Sequence, residues 1–113
     1  MGKFWCRRGS VVPVDLRIRV LLSFQRALWE QVTPGLRGVA VRVGSQMVEG
    51  RFLYDGVPGE VEEEIVSETE TYVIADLEPA VGVSFRAEWA PEATARTLGP
   101  GEEWVYLRRE PTG

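Results

Sequence analysis

Apolar residues recur at helical spacing from Asp15 to Val32. At about 100° per residue, Leu16, Val20, Leu21, Phe24, Ala27, Leu28 and Val32 share one broad arc, and Ile18, Leu22 and Trp29 widen it. Arg19, Ser23, Arg26 and Glu30 occupy the remaining narrow stripe. So little polar surface predicts a central helix, packed on a sheet and also on a second helix or a partner. Asp15 suits the N-cap, and Thr33-Pro34-Gly35 ends the segment. The start also alternates like a strand (Val14, Leu16, Ile18, Val20), but the helical period accounts for the whole length.

The period then falls to two. Val39, Val41 and Val43 alternate with Ala40 and Arg42, Gly44-Ser45-Gln46 reads as a turn, and a second strand runs from Met47 to Tyr54, predicting a hairpin. A second helix follows over residues 59–75, with Val61, Ile65, Val66, Thr69, Tyr72 and Val73 as its apolar stripe. Glu60, Glu64 and Glu68 form a row along the edge of that stripe, and Glu63 and Glu70 face outward. Beyond Pro79, residues 81–89 alternate cleanly, residues 90–101 form a loop, and residues 103–109 make the last strand. The order α-β-β-α-β-β predicts a single α+β domain over residues 13–110: a four-stranded, mainly antiparallel sheet with two helices on one face. Residues 1–12 are expected to be a poorly ordered basic tail containing Trp5 and an accessible Cys6, and residues 111–113 a C-terminal tail. Trp29 and Trp89 are expected in the core.

Charge is segregated along this pattern. Residues 1–51 carry a net +6, residues 52–85 a net −9 without a single Lys or Arg, and residues 86–113 a net −1. Such asymmetry speaks to partners and orientation rather than to fold. The 113 residues contain no histidine and one cysteine, which excludes Ser–His and Cys–His nucleophile pairs, an intramolecular disulfide and a thiolate zinc site. Asp55 and Glu60 lack the alternating oxygen ligands of a calcium loop, and Gly99-Pro100-Gly101 lacks the lysine of a phosphate loop. No enzyme, metal or cofactor is therefore expected. No stretch approaches the roughly 20 apolar residues of a membrane span, so the protein is read as cytoplasmic, without a membrane partner.

Four segments resemble a group of small, largely uncharacterised bacterial proteins that are immunity-like or accessory by size and charge. They are Thr33-Pro34-Gly35-Leu36-Arg37, Phe52-Leu53-Tyr54-Asp55-Gly56, Glu70-Thr71-Tyr72-Val73-Ile74-Ala75-Asp76, and residues 103–110, Glu-Trp-Val-Tyr-Leu-Arg-Arg-Glu. Their order and spacing span about residues 16–110. The resemblance implies the α+β fold and a bacterial cytoplasmic setting, and assigns no site residue.

Two constellations are candidates for function. Asp55, Glu60, Glu63, Glu64, Glu68 and Glu70 would form an acidic surface for a basic protein partner, in the manner of an immunity-like inhibitor. The plain alternative is a solvated face that keeps the protein soluble. Like charges at i, i+4 cost an isolated helix about 0.2–0.5 kcal/mol per pair, so this row does not serve local stability. The second constellation is the outer sheet face. If Val41, Val83, Phe85, Val105 and Leu107 face the helices, Arg42, Arg86, Trp104, Tyr106 and Arg108 face away. Those residues suit a homodimer surface or stacking on single-stranded nucleic acid. The net negative charge disfavours nucleic acid.

Overall fold

The structure is a computed structural model and describes residues 14–111. The basic tail over residues 1–12, with Trp5 and Cys6, lies outside the described residues, as do residues 112 and 113. Six elements follow in the expected order: α1 (Val14–Ala27), β1 (Leu36–Val43), β2 (Met47–Tyr54), α2 (Glu60–Asp76), β3 (Gly82–Trp89) and β4 (Glu102–Leu107). The sheet is ordered β3-β2-β1-β4. β1 pairs antiparallel with both β2 and β4, while β2 and β3, joined through α2, are parallel. A parallel pair needs such a crossover, and α2 provides it.

Both helices close over one face. Leu16, Val20, Phe24 and Ala27 of α1 and Val66 and Val73 of α2 meet Val39, Val41, Val48, Phe52 and Phe85 of the sheet. At the centre the ring of Phe24 stacks on Phe85 at 4.6 Å, with Phe52 about 6 Å from both. Gly50 makes this possible, since a Cβ there would sit 2.8 Å from Phe85 Cδ1 and 3.2 Å from Phe24 Cζ. Each of these buried phenylalanines contributes on the order of 1.5–3 kcal/mol by leaving water.

α1 ends five residues before the predicted stop. Leu28 N–H still reaches Phe24 O, but Trp29 and Gln31 form three-residue turns and Glu30 takes a left-handed conformation (φ 67°). Trp29 therefore leaves the helical arc and is 73% exposed, not in the core. Ile18 and Leu22 also face solvent, because α1 is covered on two sides rather than all round. In α2 the buried stripe narrows to Val66, Thr69 and Val73, leaving Val61 and Tyr72 exposed.

A bulge changes the facing of β4. Val41 pairs with Glu103 and Ala40 with Trp104, but Val39 pairs with Tyr106 and Gly38 with Leu107. The extra residue, Val105, switches the alternation. Tyr106 consequently packs against the helix-side core and Leu107 lies on the outer face, the reverse of the expected arrangement.

The outer face is not open. β3 and β4 are the two edges of the sheet, so the segment joining them, residues 90–101, must cross it. Arginines of the central strands guide the path. Arg37 Nη1 donates to the carbonyls of Ala90, Pro91 and Thr94, Arg51 Nη2 to that of Thr97, and Arg42 Nε to that of Pro100, all at 2.8–2.9 Å. Glu102 and Glu88 flank Arg51, and Glu110 pairs with Arg37, which is 2% exposed. This strap, with Trp104 lying against Gly38, explains why Gly38, Ala40 and Leu53 are buried on the face away from the helices. Buried ion pairs add little net stability, but an arginine stranded without its carboxylate costs several kcal/mol. The ties therefore select this path over others.

Candidate functional site

The acidic residues of α2 sit beside the C-terminal end of β3, and two fixed points establish where. Glu70 Oε2 accepts the backbone N–H of Phe85 at 2.9 Å. α2 runs opposite to the strands it joins. From Phe85 to Trp89 the strand rises about 13 Å, and from Glu70 back to Val61 the helix covers about 13.5 Å. Val61 is thus level with Trp89. Tyr54, the register partner of Trp89, lies near Glu62 and Glu63 on the first turns of α2, and its buried hydroxyl has no hydrogen-bond partner among the described residues. Burial pushes that hydroxyl up to about 12, helped by the charges of Glu62 and Glu63.

The six candidate carboxylates are not equivalent. Asp55 holds Arg108 at 2.9 Å, and Glu70 caps an N–H on the sheet edge instead of facing outward. Glu68 accepts from the side chain of Gln31 at 3.0 Å. Glu62, outside the predicted set, accepts the Gly59 backbone N–H at 2.8 Å and fixes the start of the helix. Glu60, Glu63 and Glu64 remain exposed on the first turns. Among the described residues none of the glutamates of α2 is ion-paired, whereas Arg26 meets Asp76 at the far end of α2 and Arg17, Arg37, Arg42, Arg51, Arg86, Arg96 and Arg108 each meet a carboxylate outside the helix. No arginine among the described residues compensates these glutamates.

Beside these glutamates lies apolar surface that sequence reasoning missed. Trp89, expected in the core, is 58% exposed, its indole N–H reaching only the Asp55 carbonyl at 3.3 Å. Val57 is 71% exposed and Val61 64%. No sign of this stood in the sequence, because the apolar stripe of α2 starts at Val61, whereas burial in the fold starts only at Val66 and leaves Trp89, the last residue of its strand, uncovered.

The second constellation is dispersed. Arg42, Arg86 and Trp104 lie on the outer face, Arg108 at its end and Tyr106 on the opposite side. Arg42 pairs with Glu49, Arg86 with Glu88, and Arg108 with Asp55 and Glu110. An open cavity of about 290 Å³ lies between Arg42, Arg51, Arg86 and the strap, with Glu102 in its lining. At the C-terminal end of the fold, hydrogen bonds from Arg37, and secondarily from Arg108, hold the Glu110 carboxyl at about 2 against the opposing effect of desolvation. Arg51 similarly lowers Glu102. Among the described residues no group of His, Cys, Asp and Glu converges as metal ligands would, and no helix is long and apolar enough to cross a membrane.

No curated protein matches the chain. Residues 17–110, which span every strand and α2 and nearly all of α1, match the MafI2 immunity protein family, and the chain belongs to that family.

Proposed function

We propose that this protein neutralises a basic toxin by binding it through the first turns of α2, in the cytoplasm of a bacterial cell and without chemistry of its own. Glu60, Glu63 and Glu64 form the centre of the acidic surface, and Glu68 extends it. Asp55 and Glu70 hold the surrounding structure in place. The observation that carries the reading is that, among the described residues, the α2 glutamates form no ion pair while eight arginines pair with other carboxylates. Solubility does not require three like charges to be crowded on two turns, and repulsion at i, i+4 works against that arrangement. A basic partner reverses the sign of that term, and complementary fields raise the rate of encounter. Inhibition then follows from steric cover of the toxin's working surface.

The test is affinity capture from the native host at low and high salt, followed by titration of the recovered toxin in recombinant form. Glu60→Lys/Glu64→Lys should weaken binding at low ionic strength and flatten its dependence on salt. Affinity and salt dependence equal to the parent chain would refute the acidic-surface reading.

A further inference from the structure

We infer that the flank of α2 formed by Val61, Ile65 and Tyr72 is the apolar part of this interface, and that the basic partner seats an apolar side chain on it between its own lysines and arginines. The inference rests on the acidic-surface reading and adds what that reading leaves out: which side of α2 the partner covers, and where the affinity resides. Exposed charge pairs set encounter rate and register and contribute little affinity. Tight complexes concentrate affinity in a few aromatic and apolar contacts from which water is excluded.

Helix geometry brings these residues together. Val61, Ile65, Glu68 and Tyr72 follow one another at i, i+4, i+7 and i+11 within the unbroken helix Glu60–Asp76. At about 100° per residue they keep within about 60° of one another. Glu70, whose carboxylate bonds the Phe85 N–H of β3, lies about 140–180° round the helix from these four residues, so the stripe faces away from β3. Two hydrogen bonds show what it faces instead. Ser23 Oγ donates to Asp76 at 2.8 Å, and Gln31 Nε2 donates to Glu68 Oε1 at 3.0 Å. The end of α1 and the turn after it therefore run antiparallel to α2 along this flank. They leave it open on both sides of the Gln31–Glu68 bond: Val61 is 64% exposed, Tyr72 43%, and Ile65 is half-buried between Val61 and Glu68.

Charge selects the occupant. Glu60, Glu64 and Glu68, four residues apart, form a row along the solvent side of the stripe and enter it at Glu68. An apolar strip edged by charge of one sign fits an apolar residue flanked by cations. A second copy of this chain fits poorly, because a two-fold contact would set the same glutamates face to face. Trp89, 58% exposed, belongs to β3 on the Glu70 side of α2 and serves as an internal control.

The experiment measures the dissociation constant of the recombinant toxin for Tyr72→Ala, Val61→Ser, Trp89→Ala and Glu60→Lys/Glu64→Lys across a salt series. Tyr72→Ala should weaken binding about thirtyfold and Val61→Ser about fivefold, both with an unchanged slope against salt. Trp89→Ala should stay within about threefold, as a near-neutral residue does. Thermal unfolding equal to the parent's shows that a loss of affinity is not a loss of fold, and Val61, the more exposed residue, carries the test if Tyr72→Ala unfolds early. Tyr72→Ala and Val61→Ser both within about threefold of the parent, while charge reversal still weakens binding, would overturn the flank and leave the acidic surface standing. A larger loss for Trp89→Ala than for Tyr72→Ala would overturn it by moving the partner to the β3 side. Loss on Tyr72→Ala with no effect of charge reversal would remove the acidic surface, and the choice of a basic occupant with it. Concentration-dependent dimers of the free chain that Tyr72→Ala dissociates would assign the stripe to a second copy.

Discussion

Glu110 is where a single uncharged substitution should cost most. Its carboxylate accepts both Nε and Nη2 of Arg37 at 2.9 Å and also pairs with Arg108 and Arg96. Replacing it by Gln keeps the shape and one acceptor oxygen but leaves a buried guanidinium without its counter-charge. The carboxyl falls from an ordinary 4.5 to about 2 in the fold. At about 1.36 kcal/mol per unit, full expression of that difference is roughly 3 kcal/mol, and partial contact with solvent reduces it to about 2 kcal/mol. For a domain of this size that is on the order of a 10 °C fall in melting temperature. Because the folded value is depressed, the unfolded chain binds the proton more readily. The stabilisation is complete above about 4.5 and fades as the pH falls toward 2. Urea unfolding of the parent and Glu110→Gln at pH 7, 4 and 2.5 checks this, since other carboxylates such as Glu102 contribute to both proteins and cancel in the difference. A gap near 2 kcal/mol at pH 7 that narrows to well below 1 kcal/mol at pH 2.5 is expected from the linkage. A gap absent at pH 7, or one independent of pH, would refute the assignment of Glu110 as the counter-charge of Arg37.

Two further outcomes test the packing. Gly50→Ala should destabilise by about 1–3 kcal/mol through overpacking against Phe85 and Phe24, and Phe85→Leu should recover part of the loss in the double variant, as read by chemical denaturation. Glu70→Ala should accelerate hydrogen exchange at the Phe85 amide at least tenfold, the consequence of losing about 1.4 kcal/mol or more from a charge-assisted bond, while amides at the β1–β2 pairing remain protected.

The elements and their order were legible because each apolar period is long enough to outweigh local exceptions. Leu16, Val20, Phe24 and Ala27 are spaced for one helix face, and Val39 and Val41 for one strand face; all are buried as that spacing requires. Details set by distant parts of the chain were not legible. The reversal of Tyr106 and Leu107 depends on a bulge at Val105, in a stretch whose alternation gives no local sign of it. The end of α1 depends on the turn that brings Leu36 into the sheet, although the apolar period continues to Val32. The strap's route was the largest omission. Its trace in the sequence is chemical: Arg37 and Arg51 occupy central strands, where burial obliges an arginine to find partners. Of the candidate surface, the clustering of glutamates was readable from their numbers alone. Their unequal roles were not, because Asp55, Glu68 and Glu70 take partners from Arg108, Gln31 and Phe85, all outside α2.

The position of β1 between β2 and β4 sets a timetable for synthesis. Gly38 pairs with Leu107, roughly seventy residues later, a separation that makes closure of the sheet a late and slow event. At about 5–20 residues per second on the ribosome, β1 waits several seconds for β4. During that interval the β1–β2 hairpin has one edge of unpaired N–H and C=O groups and an uncovered outer face, the surfaces on which nascent chains aggregate. The β2–α2–β3 unit that carries Glu60, Glu63, Glu64 and Tyr72 is already translated by then. The surface proposed to meet the toxin thus leaves the ribosome before the sheet beneath it is sealed.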